Sequence, residues 1–211
     1  MHKRNPLKQI MFLVLGLLAC VTVIVQFYIM MQNRVAPVTE TSIRFFSYFT
    51  ILTNSLAGIY ALLQSFRKNT GDDLMAAEKG MFTAITVYIT IVGLVYQVLL
   101  RQTWHPRGIQ KIVDELLHSV IPLLCIIYWY VFENKERLHY RLIKSWLIYP
   151  FLYLIFVLWR GHYSHFYPYP FLDVNELGFT NVMIHSFLIF MLFLVVALVY
   201  LAIGKQVTAK R

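Results

Sequence analysis

Residues 182–203 read VMIHSFLIFMLFLVVALVYLAI. No charge interrupts this stretch, and His185 and Ser186 are its main polar residues. At 1.5 Å per residue it reaches roughly 33 Å as a helix, enough to cross a hydrocarbon core of roughly 30 Å. Working back along the chain, similar runs occupy about 10–31, 43–66, 79–100, 112–132 and 144–160, of which the last is the shortest. Apolar residues make up 59% of the 211 positions and charged residues only 14%. A soluble domain carries nearer a quarter charged. The sequence therefore predicts an all-α polytopic membrane protein with about six transmembrane helices, folded as a single domain over 1–211. No internal repeat, low-complexity tract or linker divides it.

The formal charge of +9 invites a nucleic-acid reading, but its distribution argues against one. Lys and Arg sit in short loops beside the spans. With both termini on one side, that side holds Lys3, Arg4, Lys8, Arg67, Lys68, Lys79, Lys135, Arg137, Arg141, Lys144, Lys205, Lys210 and Arg211. The other side holds Arg34, Arg44, Arg101, Arg107, Lys111 and Arg160. This asymmetry predicts a cell-membrane protein with both termini cytoplasmic. Cys20 and Cys125 fall inside spans, too deep for an ordinary structural disulfide. Lys3-Arg4 before an apolar run resembles a signal peptide, and Leu17–Cys20 faintly resembles a lipoprotein cleavage box. Because the run continues through Val21–Met31, a retained first helix is expected.

Polar groups inside a span are costly and mark places to look for function. The second run contains Ser47, Thr50, Thr53 and Asn54. On one continuous helix Ser47, Thr50 and Asn54 would fall within about 60° of one another. Such residues also hydrogen-bond between packed helices or to their own carbonyls, so a structural role is open for each. The fourth run begins IVDELLHSVIP at Ile112, placing His118 one turn beyond both Asp114 and Glu115. Pro122 has no N–H and frees the His118 carbonyl. An interfacial salt bridge or a proton relay would use the same residues.

Depth sharpens the reading. Both spans run inward from the same surface, and Thr50 and His118 lie roughly 9–10 Å below their starts at Ile43 and Ile112. A hydroxyl, an imidazole and a carboxylate at one level are the parts of a nucleophile, base and orienter. His185 enters the last span from the same side and rivals His118. The loop from Gly161 to Gly178, GHYSHFYPYPFLDVNELG, is rich in Tyr, Phe and Pro. It suits an aromatic belt at the headgroups, or a lid over a lipid-facing cleft.

Four stretches resemble the bacterial members of the androgen-induced gene-one family, which also contains the androgen-dependent regulator of tissue factor pathway inhibitor. They are RFFSYFTILTN (Arg44–Asn54), VDELLHSVIP (Val113–Pro122), WLIYPFLYLIFVLWRG (Trp146–Gly161) and YPYPFLDVNELG (Tyr167–Gly178). The resemblance implies a multi-pass threonine hydrolase that cleaves fatty acid esters of hydroxy fatty acids or similar lipids, with one Thr and one His in the membrane. It maps the Thr to Thr50, with Thr53 as a neighbouring competitor, and the His to His118. The animal members carry one more residue between that His and the Pro.

Three functions remain in view. In the first, His118 takes the Thr50 proton, Asp114 or Glu115 orients the imidazole, and Asn54 donates to the oxyanion; no cofactor is needed, and a lipid from the bilayer is the substrate. The second is a metal-dependent hydrolase drawing on His105, His118, His162, His165 and His185 with nearby carboxylates, although no spacing is diagnostic. The third is a lipid-binding or proton-coupled membrane protein without chemistry. Between the two carboxylates, Asp114 is the expected orienter, leaving Glu115 to pair with Arg44 or Arg101.

Overall fold

A computed structural model describes residues 6–66 and 80–209, and every regular element among them is helical. Of the basic residues assigned to the terminal side, Lys3, Arg4, Arg67, Lys68, Lys79, Lys210 and Arg211 lie outside the described residues. Among the described residues, six helices are long and apolar enough to cross a membrane: α1 (Pro6–Gln32), α3 (Phe49–Phe66), α4 (Met81–Leu100), α5 (Ile109–Phe132), α6 (Leu142–Ser164) and α8 (Phe179–Ala209). Short α2 (Val38–Phe45) and α7 (Val174–Leu177) lie in the connections. The chain is a multi-pass, all-α membrane protein.

Helix α4 is the axis of the bundle. Its most apolar stretch is 61% buried, against 28–44% in the other five, because α3, α5 and α8 all pack on it. Helix α1 lies against α3 through small residues. A Cβ on Gly16 would come 2.8 Å from the Leu62 backbone nitrogen, and one on Gly58 would meet Cys20 Sγ at 2.9 Å. Packing this close replaces the hydrophobic drive that is missing between helices in lipid. Cys20 and Cys125 are both free thiols.

The second expected span, 43–66, is not one helix. The chain turns at Phe46–Tyr48, and α3 starts at Phe49. The Ser47 and Tyr48 amides bond back to Arg44 and Phe45 carbonyls, closing a tight turn. The Ser47 hydroxyl donates to the Ile43 carbonyl, and the Ser47 carbonyl accepts the Tyr153 hydroxyl from α6. A tertiary partner thus satisfies a group that a continuous helix would have used. Ser47 accordingly does not share a helical face with Thr50 and Asn54. The fifth span runs longer than 144–160 at both ends and contains Pro150. The Trp146 carbonyl left without an N–H partner by that proline accepts the Tyr88 hydroxyl at 2.6 Å.

Successive spans alternate in direction, so the connections gather at two ends. One end holds residues 33–48, 101–108 and 165–178. The other holds residues 133–141, where buried Lys135 donates to the Trp129, Tyr130 and Glu133 carbonyls and caps α5.

Candidate active site

Thr50 sits in the first turn of α3, where backbone amides have no helical partner. Its N–H donates instead to Tyr169 Oη at 3.2 Å. The Thr50 hydroxyl is 3.3 Å from the same phenol oxygen and 3.4 Å from His118 Nε2. Thr50 is 8% exposed and Asp114 5%, so the group is buried yet reachable. Two elements far apart in sequence and a loop between α6 and α8 therefore converge on one hydroxyl.

His118 lies in a π-helical turn, Leu116–Val120, within α5. The wider turn carries the Ile121 amide to the Leu116 carbonyl, five residues back. Such turns hold one extra residue and re-aim side chains, and they recur at functional sites. The imidazole Nδ1 lies 2.9 Å from the Asp114 carbonyl and 3.3 Å from Asp114 Oδ1. Both neighbours are acceptors, so Nδ1 carries the proton and Nε2 faces Thr50 as an acceptor. Tyr96 opens a second π turn, Tyr96–Leu100, in α4. Its ring stacks on the imidazole at 4.1 Å and 13°, and its hydroxyl donates to Asp114 Oδ2. Gly93 lets α4 approach here, since a Cβ there would sit 3.2 Å from the His118 carbonyl.

Comparison finds no matching family model, curated protein or solved structure.

The remaining candidates separate cleanly. Thr53 faces away from His118, its hydroxyl 3.4 Å from Tyr149 Oη. Asn54 is fully buried, and its amide nitrogen donates to the Thr50 and Leu117 carbonyls. It ties α3 to α5 beneath the site, and those two bonds occupy the N–H groups that an oxyanion would need. Glu115 pairs with Arg101 at 2.5 Å and accepts from Ser119, so Asp114 alone reaches the imidazole. His185 donates to the Phe171 carbonyl and pins the loop to α8. Among the described residues, no three His, Cys, Asp or Glu side chains gather as a metal ion requires.

Sequence reasoning missed Tyr169 and Tyr96 as individuals. Tyr169 belongs to the aromatic loop read as a belt or lid, and nothing in YPYP distinguishes it from Tyr167. Its hydroxyl reaches Thr50 because the loop is clasped at its base. Buried Arg160 donates to Glu40 at 2.7 Å and to the Phe166 carbonyl, and Arg44 donates to the same Glu40 oxygen. The Phe166 ring lies within 4.5 Å of the Arg44 guanidinium and 5.1 Å of that of Arg160. The Tyr167 ring packs against Gly161, where any Cβ would meet it at 2.0 Å. Burial pushes the Tyr169 phenol up to about 12, its hydrogen bonds with the Thr50 hydroxyl and with the Thr50 and Phe49 amides pulling the other way.

Two cavities meet at Thr50 and Tyr169. One is a crevice of about 480 Å³ bounded by Gln26, Trp104, Gln110, Asp114 and His118. The other is a narrower apolar chamber of about 80 Å³ between α4, α6 and α8, lined by Val92, Val95, Pro150, Phe171 and Ile189.

Proposed function

We propose that this protein is an intramembrane ester hydrolase with Thr50 as nucleophile, His118 as general base and Asp114 as its orienter. The observation that carries the reading is the hydrogen-bonded series from Thr50 Oγ1 through the His118 ring to Asp114, at 3.4 Å and 3.3 Å. A contact of 3.4 Å is long for a hydrogen bond, and such contacts tighten when substrate is bound.

His118 Nε2 takes the Thr50 proton as Oγ attacks the ester carbonyl carbon, and the carbonyl electron pair moves onto oxygen. Collapse of that adduct re-forms the carbonyl and breaks the bond to the alcohol, which leaves with the proton from Nε2. Water then gives a proton to Nε2 and attacks the acyl-threonine. The carboxylic acid departs, and Thr50 recovers its hydrogen. Asp114 stabilises the imidazolium in both halves, and Tyr96 holds Asp114 and the ring in place.

The likeness of Arg44–Asn54, Val113–Pro122 and Tyr167–Gly178 to the androgen-induced gene-one family supports the same reading. It also suggests fatty acid esters of hydroxy fatty acids, or similar lipid esters, as substrates drawn from the bilayer. The site end of the bundle is then external in a cell membrane, and both termini are cytoplasmic.

The test is labelling of purified protein by a fluorophosphonate together with hydrolysis of a fluorogenic fatty acyl ester. Thr50→Ala and His118→Ala should each cost at least about 10⁴-fold in turnover, while Thr53→Ala stays mild. If Thr53→Ala inactivates and Thr50→Ala is silent, the nucleophile is misassigned. Hydrolysis that chelators abolish, without labelling, would favour a metal enzyme. Neither labelling nor hydrolysis would favour a lipid-binding or proton-coupled protein.

A further inference from the structure

Which group meets the carbonyl oxygen, and which way the substrate lies, follow from the two cavities. Thr50 and Tyr169 line both of them, whereas His118 and Asp114 line only the crevice. Resting on the hydrolase reading, we infer that the ester lies across Thr50 with its acyl chain in the apolar chamber, its alcohol in the crevice and its carbonyl oxygen on the Tyr169 hydroxyl.

The chemistry sets the direction. The departing alkoxide must collect its proton from His118 Nε2, and that nitrogen faces the crevice. The acyl chain then leaves Thr50 on the opposite side, where the lining is almost wholly hydrocarbon and aromatic.

The Tyr169 hydroxyl is suited to the oxyanion for three reasons. It already accepts the Thr50 N–H at 3.2 Å, so its own proton is free to be donated. Its nearest acceptor at rest is Thr50 Oγ1, at 3.3 Å. When Oγ bonds to the carbonyl carbon, the new negative charge appears on an oxygen attached to that same carbon. The phenol then turns its proton from Oγ to the oxyanion without moving its own oxygen far. A phenol held up to about 12 by burial keeps that proton at neutral pH. The positive end of α3 lies behind it, and the accepted N–H polarises the O–H further. The Asn54 amide is already committed to two carbonyls.

The experiment uses full-length protein in detergent. Tyr169→Phe should lower kcat by about 10²–10³-fold with KM nearly unchanged. Affinity for a trifluoromethyl ketone, which forms the tetrahedral adduct, should fall by a similar factor. An unreactive ether of the same shape should bind as before. Equal loss for ketone and ether would reduce Tyr169 to a packing role and overturn the inference, as would near-normal kcat. Should the variant fail to fold, 3-fluorotyrosine at 169 preserves packing while changing donor acidity; an unaltered kcat would then sink the proposal. For direction, Ile189→Trp should lower the ratio of kcat/KM for long-chain over acetyl esters at least tenfold. A dependence on alcohol length instead would reverse the substrate. Hydrolysis that survives Thr50→Ala removes Thr50 as nucleophile, the reading on which this inference rests, whereas Thr50-dependent hydrolysis indifferent to Tyr169 removes only this inference.

Discussion

At the scale of single residues, the two neighbouring carboxylates of α5 have been given different work by what lies opposite them. Asp114 is buried, holds the imidazole and accepts from Tyr96. Glu115 is about one-third exposed and pairs with Arg101, itself half-exposed. An ion pair so open to its surroundings contributes about 0–1 kcal/mol. Asp114→Asn should therefore lower kcat by about 10⁴-fold, because the amide offers the wrong partner when the imidazole becomes charged. Glu115→Gln should leave turnover within a few-fold and lower the melting temperature slightly. Ester hydrolysis and thermal melts on both variants check this, and a reversed pattern would assign the orienter to Glu115.

Between residue and molecule, the loop that closes the site is controlled from the end of α6. Gly161 leaves room for the Tyr167 ring, and Gly161→Ala would force that ring away because a Cβ would lie 2.0 Å from it. Overpacking of this kind costs about 1–3 kcal/mol. It should also displace Tyr169 two residues on, so turnover should fall by more than the loss of stability explains. Comparing kcat at a temperature where both proteins are fully folded separates the two effects. The clasp beneath the loop should respond to pH. The Arg44 hydrogen bond, and then Arg160, hold the Glu40 carboxyl below its ordinary 4.5. A carboxylate lowered in the folded state adds stability above the unfolded value and loses it as pH falls through the folded one. Melting temperature should thus drop as pH is lowered below about 4.5, and Glu40→Gln should flatten part of that slope while lowering stability at neutral pH.

For the whole molecule, the question is which end faces outward. The loops at the site end carry fewer basic residues than the loops and termini at the other, which predicts cytoplasmic termini. Asn175→Cys should react in intact cells with a membrane-impermeant maleimide, and Ala209→Cys should react only after lysis. Native Cys125 is fully buried and Cys20 lies mid-span in α1, so neither obscures the result. Labelling of position 209 in intact cells would invert the topology and place the site on the cytoplasmic side.

What the sequence alone determined is whatever depends on local composition and near neighbours. Six apolar runs imply six helices because lipid leaves the backbone no other way to satisfy its hydrogen bonds. His118 and Asp114 are four residues apart, so their pairing is a property of one helix and was legible in the spacing. The depth count did not survive, because it ran inward from Ile43 on one continuous helix, whereas the chain turns at Phe46–Tyr48 and Thr50 lies in the first turn of α3. Tertiary structure decided everything that needed a partner from elsewhere in the chain. At the break at Phe46–Tyr48 the Tyr153 hydroxyl takes the Ser47 carbonyl, and that break moved Ser47 off the face it was expected to share. Thr50 rather than Thr53 meets the imidazole because of where α3 then begins and how it lies on α5. Tyr169 reaches Thr50 across 119 residues of chain, from a loop whose aromatic sequence is equally suited to a headgroup belt. Periodicity carries no information over such a distance; only packing selects one hydroxyl among several tyrosines and aims it at the site.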